Sequence, residues 1–100
     1  MTIKPNSIIA VDLDRTLCKG ESFTEMDCIT AKPIKKMIDK VNQLNDKGCF
    51  IIIYTARKGI FYDATEYWLK KHQVKYNVLV CGKVWADYYL DDKAINIKDV

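Results

Sequence analysis

Two aspartates one residue apart, Asp12 and Asp14, follow directly on a short apolar run in the stretch IIAVDLDRTL. Two carboxylates this close raise each other's pKa unless a cation lies between them. Hard oxygen ligands of this kind suit Mg²⁺, which is commonly held by one or two carboxylates together with a substrate phosphate. A second such pair, Asp91 and Asp92, ends another apolar stretch, YYLDD. Between them lie Thr55, Ala56 and Arg57 after IIIY, and Lys83 after Gly82. Arginine offers a planar fork suited to phosphate. Taken one at a time, each group has a plainer reading: a strand-end ion pair or Asx turn for the acids, a turn cap for Thr55, a surface ion pair for Arg57, a solvated side chain for Lys83.

The elements needed to carry these groups are legible. Residues 8–11 form an apolar run expected of a strand buried on both faces, as in a parallel sheet. Residues 17–32 lack sustained periodicity and are expected to be a loop with a short hairpin. Pro33 suits the first turn of a helix. Ile34, Met37, Ile38, Val41 and Leu44 then recur at helical spacing, and Gly48 is a natural left-handed terminus. Residues 50–54 read as a second buried strand, and strand, helix and strand together imply a right-handed crossover. A helix over residues 62–72, strands over 78–80 and 88–90, and a short edge strand over 94–97 complete the pattern. The polar strand ends converge on one edge, where α/β sheets bind ligands.

The order DxDxT, then Thr55 with Arg57, then Lys83, then the acidic pair resembles the haloacid dehalogenase (HAD) superfamily, over nearly the whole chain. That resemblance implies a Rossmann-like (HAD-like) α/β fold, a parallel sheet of four to five strands with flanking helices. The only large insertion point holds about 16 residues, so no cap domain is expected and residues 1–100 are read as one domain. The resemblance further implies an Mg²⁺-dependent phosphatase. Asp12 would be the nucleophile, and Asp14 the acid and then the base. Lys83 would neutralise the transferring group. Thr55, Ala56, Arg57, Leu13, Thr16 and Arg15 would surround the phosphate. Asp12, Asp14 and Asp91 would hold the metal, with Asp92 and Asp87 supporting them from behind. Some relatives, polynucleotide 3′-phosphatases among them, set an arginine against the phosphate, the part Arg57 would take. Arg15 is a departure, since relatives usually carry glycine there; it either tolerates a tight loop or reaches toward substrate.

The stretch from Trp68 to Asp92 resembles the capsule or polysaccharide biosynthesis phosphatases, which implies a sugar phosphate or related small metabolite as substrate. The alternatives are a nucleotide or polynucleotide 3′-phosphatase, and a catalytically silent binding or regulatory module on the same fold.

Composition bounds the remaining possibilities. An apolar fraction of 49% with 29% charged residues is that of a folded globular protein. No apolar run approaches the roughly 20 residues that span a bilayer, and the first residues lack an export leader's apolar core, so a cytoplasmic location is expected. Net charge is +3, with Lys32, Lys35, Lys36, Lys40 and Lys47 on one segment. A nucleic-acid patch would want more arginine and interleaved aromatics, so these lysines read as a solvated helix face. The four cysteines, Cys18, Cys28, Cys49 and Cys81, contain no CxxC pair and are expected to be reduced. Cys18 lies near the acidic pair, which suggests sensitivity to oxidation. His72, the single histidine, reads as structural. A thin sheet edge near the end of the chain suggests a homo-oligomer.

Overall fold

The computed structural model describes residues 3–81 and 86–90. Its four strands, β1 (Ile8–Asp12), β2 (Phe50–Thr55), β3 (Val78–Cys81) and β4 (Tyr88–Leu90), form one sheet in the order β3-β2-β1-β4. Every neighbouring pair is parallel. Three helices accompany them: α1 (Glu25–Thr30), α2 (Lys35–Asp46) and α3 (Tyr62–Lys71). The result is a small α/β fold, a parallel sheet with flanking helices, compatible with a Rossmann-like type. The edge strand expected over residues 94–97 lies outside the described residues.

The strand order explains where the core sits. From β1 to β2 and from β2 to β3 the chain steps the same way across the sheet. Right-handed crossovers in one direction set both connecting helices on one face. Ile9, Val11, Ile51, Ile53 and Leu79 point into that face and join Ile38, Val41 and Leu44 of α2 and Trp68 and Leu69 of α3 in a single buried cluster. The opposite face carries Ile8, Ile52, Tyr54, Val78 and Val80, all half-buried. Central β1 therefore meets the expectation of burial on both faces at Ile9, Ala10 and Val11, which are fully buried. β2 does not: it alternates, with Phe50 exposed at its start.

The α2 stripe and its terminus follow the sequence pattern. Gly48 has φ +91°, and a Cβ there would run into the Asn6 side chain. Pro33, however, precedes the helix rather than opening it, because it is engaged in an antiparallel bridge with Cys18.

Residues 17–32 pair at their ends as the expected hairpin would, but a helix replaces the expected loop between them. Lys19 N–H donates to Lys32 O and Ile34 N–H to Leu17 O, both at 2.8 Å, so the ends of the excursion lie side by side. Between them stands α1, started by a capping box: Thr24 Oγ1 accepts from Asp27 N–H, and Asp27 Oδ2 accepts from the N–H groups of Thr24 and Phe23. The signature T-x-x-D was present in the sequence, but six helical residues are too few to show a period. Cys28 is buried beneath α1, and Trp68 Nε1 donates to Ala31 O at 2.7 Å, fastening the excursion to α3.

Candidate active site

The chain reverses sharply after β1. Leu13 O accepts from the N–H groups of Leu17 (2.9 Å), Thr16 (3.2 Å) and Cys18 (3.3 Å), and Arg15 N–H donates to Cys18 O at 2.7 Å. The turn needs a left-handed residue, and Arg15 supplies it with φ +66°. This conformation is costly for any residue with a Cβ and free for glycine. Arg15 tolerates the tight loop, and its guanidinium pairs with Glu21 at 2.7 Å.

Asp12 and Asp14 open into a cleft of about 460 Å³ beyond the carboxyl ends of β1 and β2. Arg15, Glu21, Ser22 and Phe23 line it from the excursion, and Ala56, Arg57, Lys58, Ile60 and Phe61 from the segment after β2. A larger groove of about 660 Å³ runs along the β3 edge, but it contains neither aspartate nor any residue of the β1 turn.

Arg57 is where the structure departs most from a free phosphate ligand. Its side chain is 2% exposed and ion-paired with Asp14, Nη2 to Oδ1 at 2.8 Å and Nε to both carboxylate oxygens at 3.3 Å. Nη1 donates to Thr65 Oγ1 at 2.9 Å and Nη2 to Ser22 Oγ at 3.0 Å. Burial by itself would lower the guanidinium's pKa, but the hydrogen bond and charge of Asp14 outweigh it and the pKa is raised. Arg57 therefore clamps Asp14 and ties the excursion to the sheet through Ser22. Thr65 lies on the buried side of α3 with Trp68 and Leu69. A hydroxyl in a buried stripe needs a partner, and that was the available signal; Ser22 carried none.

The other expected residues divide. Leu13 is fully buried, and its N–H donates to Asp12 Oδ1 at 2.8 Å. Thr55 is buried, with Oγ1 accepting from Arg57 N–H at 3.1 Å, a turn-capping bond. Thr16 is buried, and its Oγ1 has no hydrogen-bond partner among the described residues. Asp87 stands at the opposite end of the sheet. Its Oδ2 accepts from Ile8 N–H at 2.9 Å and its own N–H donates to Ile8 O at 2.8 Å, aligning the starts of β4 and β1. Four residues of strand at about 3.3 Å each separate Ile8 from Asp12, so Asp87 supports strand pairing about 13 Å from the site. Lys83, Asp91 and Asp92 lie outside the described residues.

Cys18 is fully buried, with Sγ 3.5 Å from Asp14 Oδ1 and 3.6 Å from Arg57 Nη2. Burial, with the Asp14 charge next, pushes its thiol up to about 12. Thiolate is the reactive species, so the structure argues against the suggested sensitivity to oxidation. His72 packs at a tilt of 47° against Trp68 with ring centroids 4.5 Å apart, and burial lowers its pKa. It is structural.

The fit of a divalent cation depends on donor chemistry. Asp12 and Asp14 present hard oxygen at one strand end, as Mg²⁺ requires. Among the described residues no third acidic, histidine or cysteine side chain joins them. Leu90, which pairs with Val11, is the last described residue of β4, and Asp91 follows it in sequence. No helix among the described residues is long and apolar enough to cross a membrane.

No protein-family model matches the chain, and no curated protein matches its sequence. Solved structures do resemble it. A crystal structure of an MCSG target protein from Vibrio cholerae is similar at 28% identity and TM-score 0.66, over 92% of this chain and 85% of that one. A conserved protein from Bacteroides thetaiotaomicron superposes with TM-score 0.71 at 18% identity, over 90% and 78% of the two chains. A chain of the Pnkp1/Rnl/Hen1 RNA repair complex superposes with TM-score 0.67 at 19% identity, over 92% of this chain but 28% of that one. These likenesses concern the fold.

Proposed function

We propose that the protein is a phosphomonoester hydrolase working through an aspartyl-phosphate. The observation that carries this reading is the pair Asp12 and Asp14 at the carboxyl end of the central strand, both opening into one cleft. A binding module has no need of a nucleophile beside an acid. In this reading an Asp12 oxygen attacks phosphorus in line with the ester oxygen. The phosphorus–oxygen ester bond breaks, and the leaving alcohol takes a proton from Asp14. Asp14 is a carboxylate at rest beside Arg57 and picks up that proton from solvent before the step. Asp14 then removes a proton from water, whose oxygen attacks the phosphorus and returns phosphate and free Asp12. Asp14 Oδ1 holds the short bond to Arg57, so Oδ2, with its 3.3 Å contact, is the oxygen better disposed to exchange a proton.

Asp12, Asp14 and Asp91 are the residues assigned to Mg²⁺, which when bound would neutralise negative charge on the phosphoryl oxygens. Lys83 is assigned to the same charge, and Thr55, Ala56 and the turn from Leu13 to Thr16 to the phosphate's surroundings. A sugar phosphate is the substrate suggested by sequence resemblance. A nucleotide or polynucleotide 3′-phosphate is the second reading, supported by the fold likeness to a chain of an RNA repair complex.

The test is hydrolysis of p-nitrophenyl phosphate with Mg²⁺, with EDTA, and with Asp12→Asn. Turnover requiring the metal and absent from a folded Asp12→Asn is expected. Appreciable hydrolysis by that variant would sink the covalent mechanism.

A further inference from the structure

The cleft is chemically two-sided. The half-buried Asp12 and Asp14 and the buried Arg57 line it together with Phe23 of the excursion and Ile60 and Phe61 after β2. Phe23 is 76% exposed and Ile60 79%, the two most exposed large apolar side chains among the described residues. Scattered exposed apolar groups are ordinary, but a cluster lining the cleft that holds the carboxylates calls for a ligand. Neither residue is there for the core. Phe23 precedes α1, where its N–H serves the capping box, and Ile60 sits in the single 3-10 turn of residues 59–61. The excursion is held behind Phe23 by the bonds of Ser22 with Arg57 and of Trp68 with Ala31.

Resting on the phosphatase reading, we infer that Phe23 and Ile60, with Phe61 beside Ile60, form a subsite for the leaving-group half of the substrate, and that the preferred phosphomonoesters carry a planar aromatic ring on their alcohol. With phosphate at the carboxylates, the group attached through the ester oxygen extends outward between these side chains. An aromatic ring buries apolar area there and stacks on Phe23; a sugar ring, ringed with hydroxyls, leaves them wet. The subsite thus favours phosphomonoesters of aromatic alcohols over simple sugar phosphates.

Benzylphosphonate and ethylphosphonate, which are not hydrolysed, test the subsite by calorimetry in the presence of Mg²⁺. The ring is expected to tighten binding by about tenfold. That advantage should shrink toward one in Phe23→Ala and in Ile60→Ala, whose exposed side chains leave the core intact. Equal binding of the two phosphonates, or an undiminished ring advantage in both variants, overturns the subsite. Turnover of benzyl and ethyl phosphates, whose leaving groups are both primary alcohols, tests the parent reading separately. Hydrolysis of neither ester with the ring advantage intact would refute the phosphatase and keep the subsite. Equal hydrolysis of both would refute the subsite and keep the phosphatase.

Discussion

Arg57→Ala is the perturbation with the clearest consequence. It deletes a guanidinium that is 2% exposed and withdraws its bonds from Asp14, Thr65 and Ser22. Removing one member of a buried ion pair typically costs about 3–5 kcal/mol, because the other charge stays behind uncompensated. Asp14's side chain keeps 19% of its surface exposed, so the low end applies, about 3 kcal/mol. At roughly 4–8 °C per kcal/mol for a domain of this size, the melting temperature should fall by about 12–24 °C. Arg57→Lys keeps a charge but loses the fork, and should recover only part of the loss. Urea and thermal melts of Arg57→Ala, Asp14→Asn and the double variant supply a cycle. The double variant should be more stable than the sum of the singles predicts, by more than about 1 kcal/mol. A loss below about 1 kcal/mol in Arg57→Ala, or an additive cycle, would refute the clamp. An arginine serving as a free phosphate ligand would behave differently, with a raised KM and an unchanged melt.

Three further outcomes follow from the same turn. Cys18 should resist iodoacetamide at pH 8.5 in the native protein and react once urea unfolds it, as peptide mass spectrometry would show; native alkylation at a free thiol's rate would contradict the burial. Its folded pKa of about 12 exceeds the ordinary thiol value of 9.0, so the folded state keeps the proton longer. The stability this contributes is complete below pH 9 and is lost as pH rises from 9 toward 12, a fall that Cys18→Ala should flatten. At Arg15, the left-handed φ predicts the stability order Gly at least equal to Arg, and Val lower by about 1–2 kcal/mol in urea melts. A valine variant as stable as the glycine one would remove the strain argument.

Sequence alone determined the groups whose signals are local. The run Ile8–Val11 had to be a central strand because nothing polar interrupts it, and Asp12 and Asp14 had to stand at its carboxyl end. The stripe from Ile34 to Leu44 and the glycine at 48 determined α2 and its stop, and the strand–helix–strand order determined parallel pairing. Even α1 was legible in Thr24 and Asp27, although one turn and a half of helix is too short for periodicity to announce.

Only the tertiary structure decided the rest, because it depends on residues far apart in the chain. Arg57 meets Asp14 across 43 residues and Ser22 across 35, and no spacing rule foretells which carboxylate a buried arginine will choose. Asp87 looks like a neighbour of the acidic strand end in sequence, yet a parallel strand carries its first and last residues to opposite edges of the sheet. Phe23 and Ile60 gather at one cleft because the excursion after β1 and the turn after β2 leave adjacent strands at the same end. Local pattern chose the chemistry of the strand end, and the parallel topology chose what surrounds it.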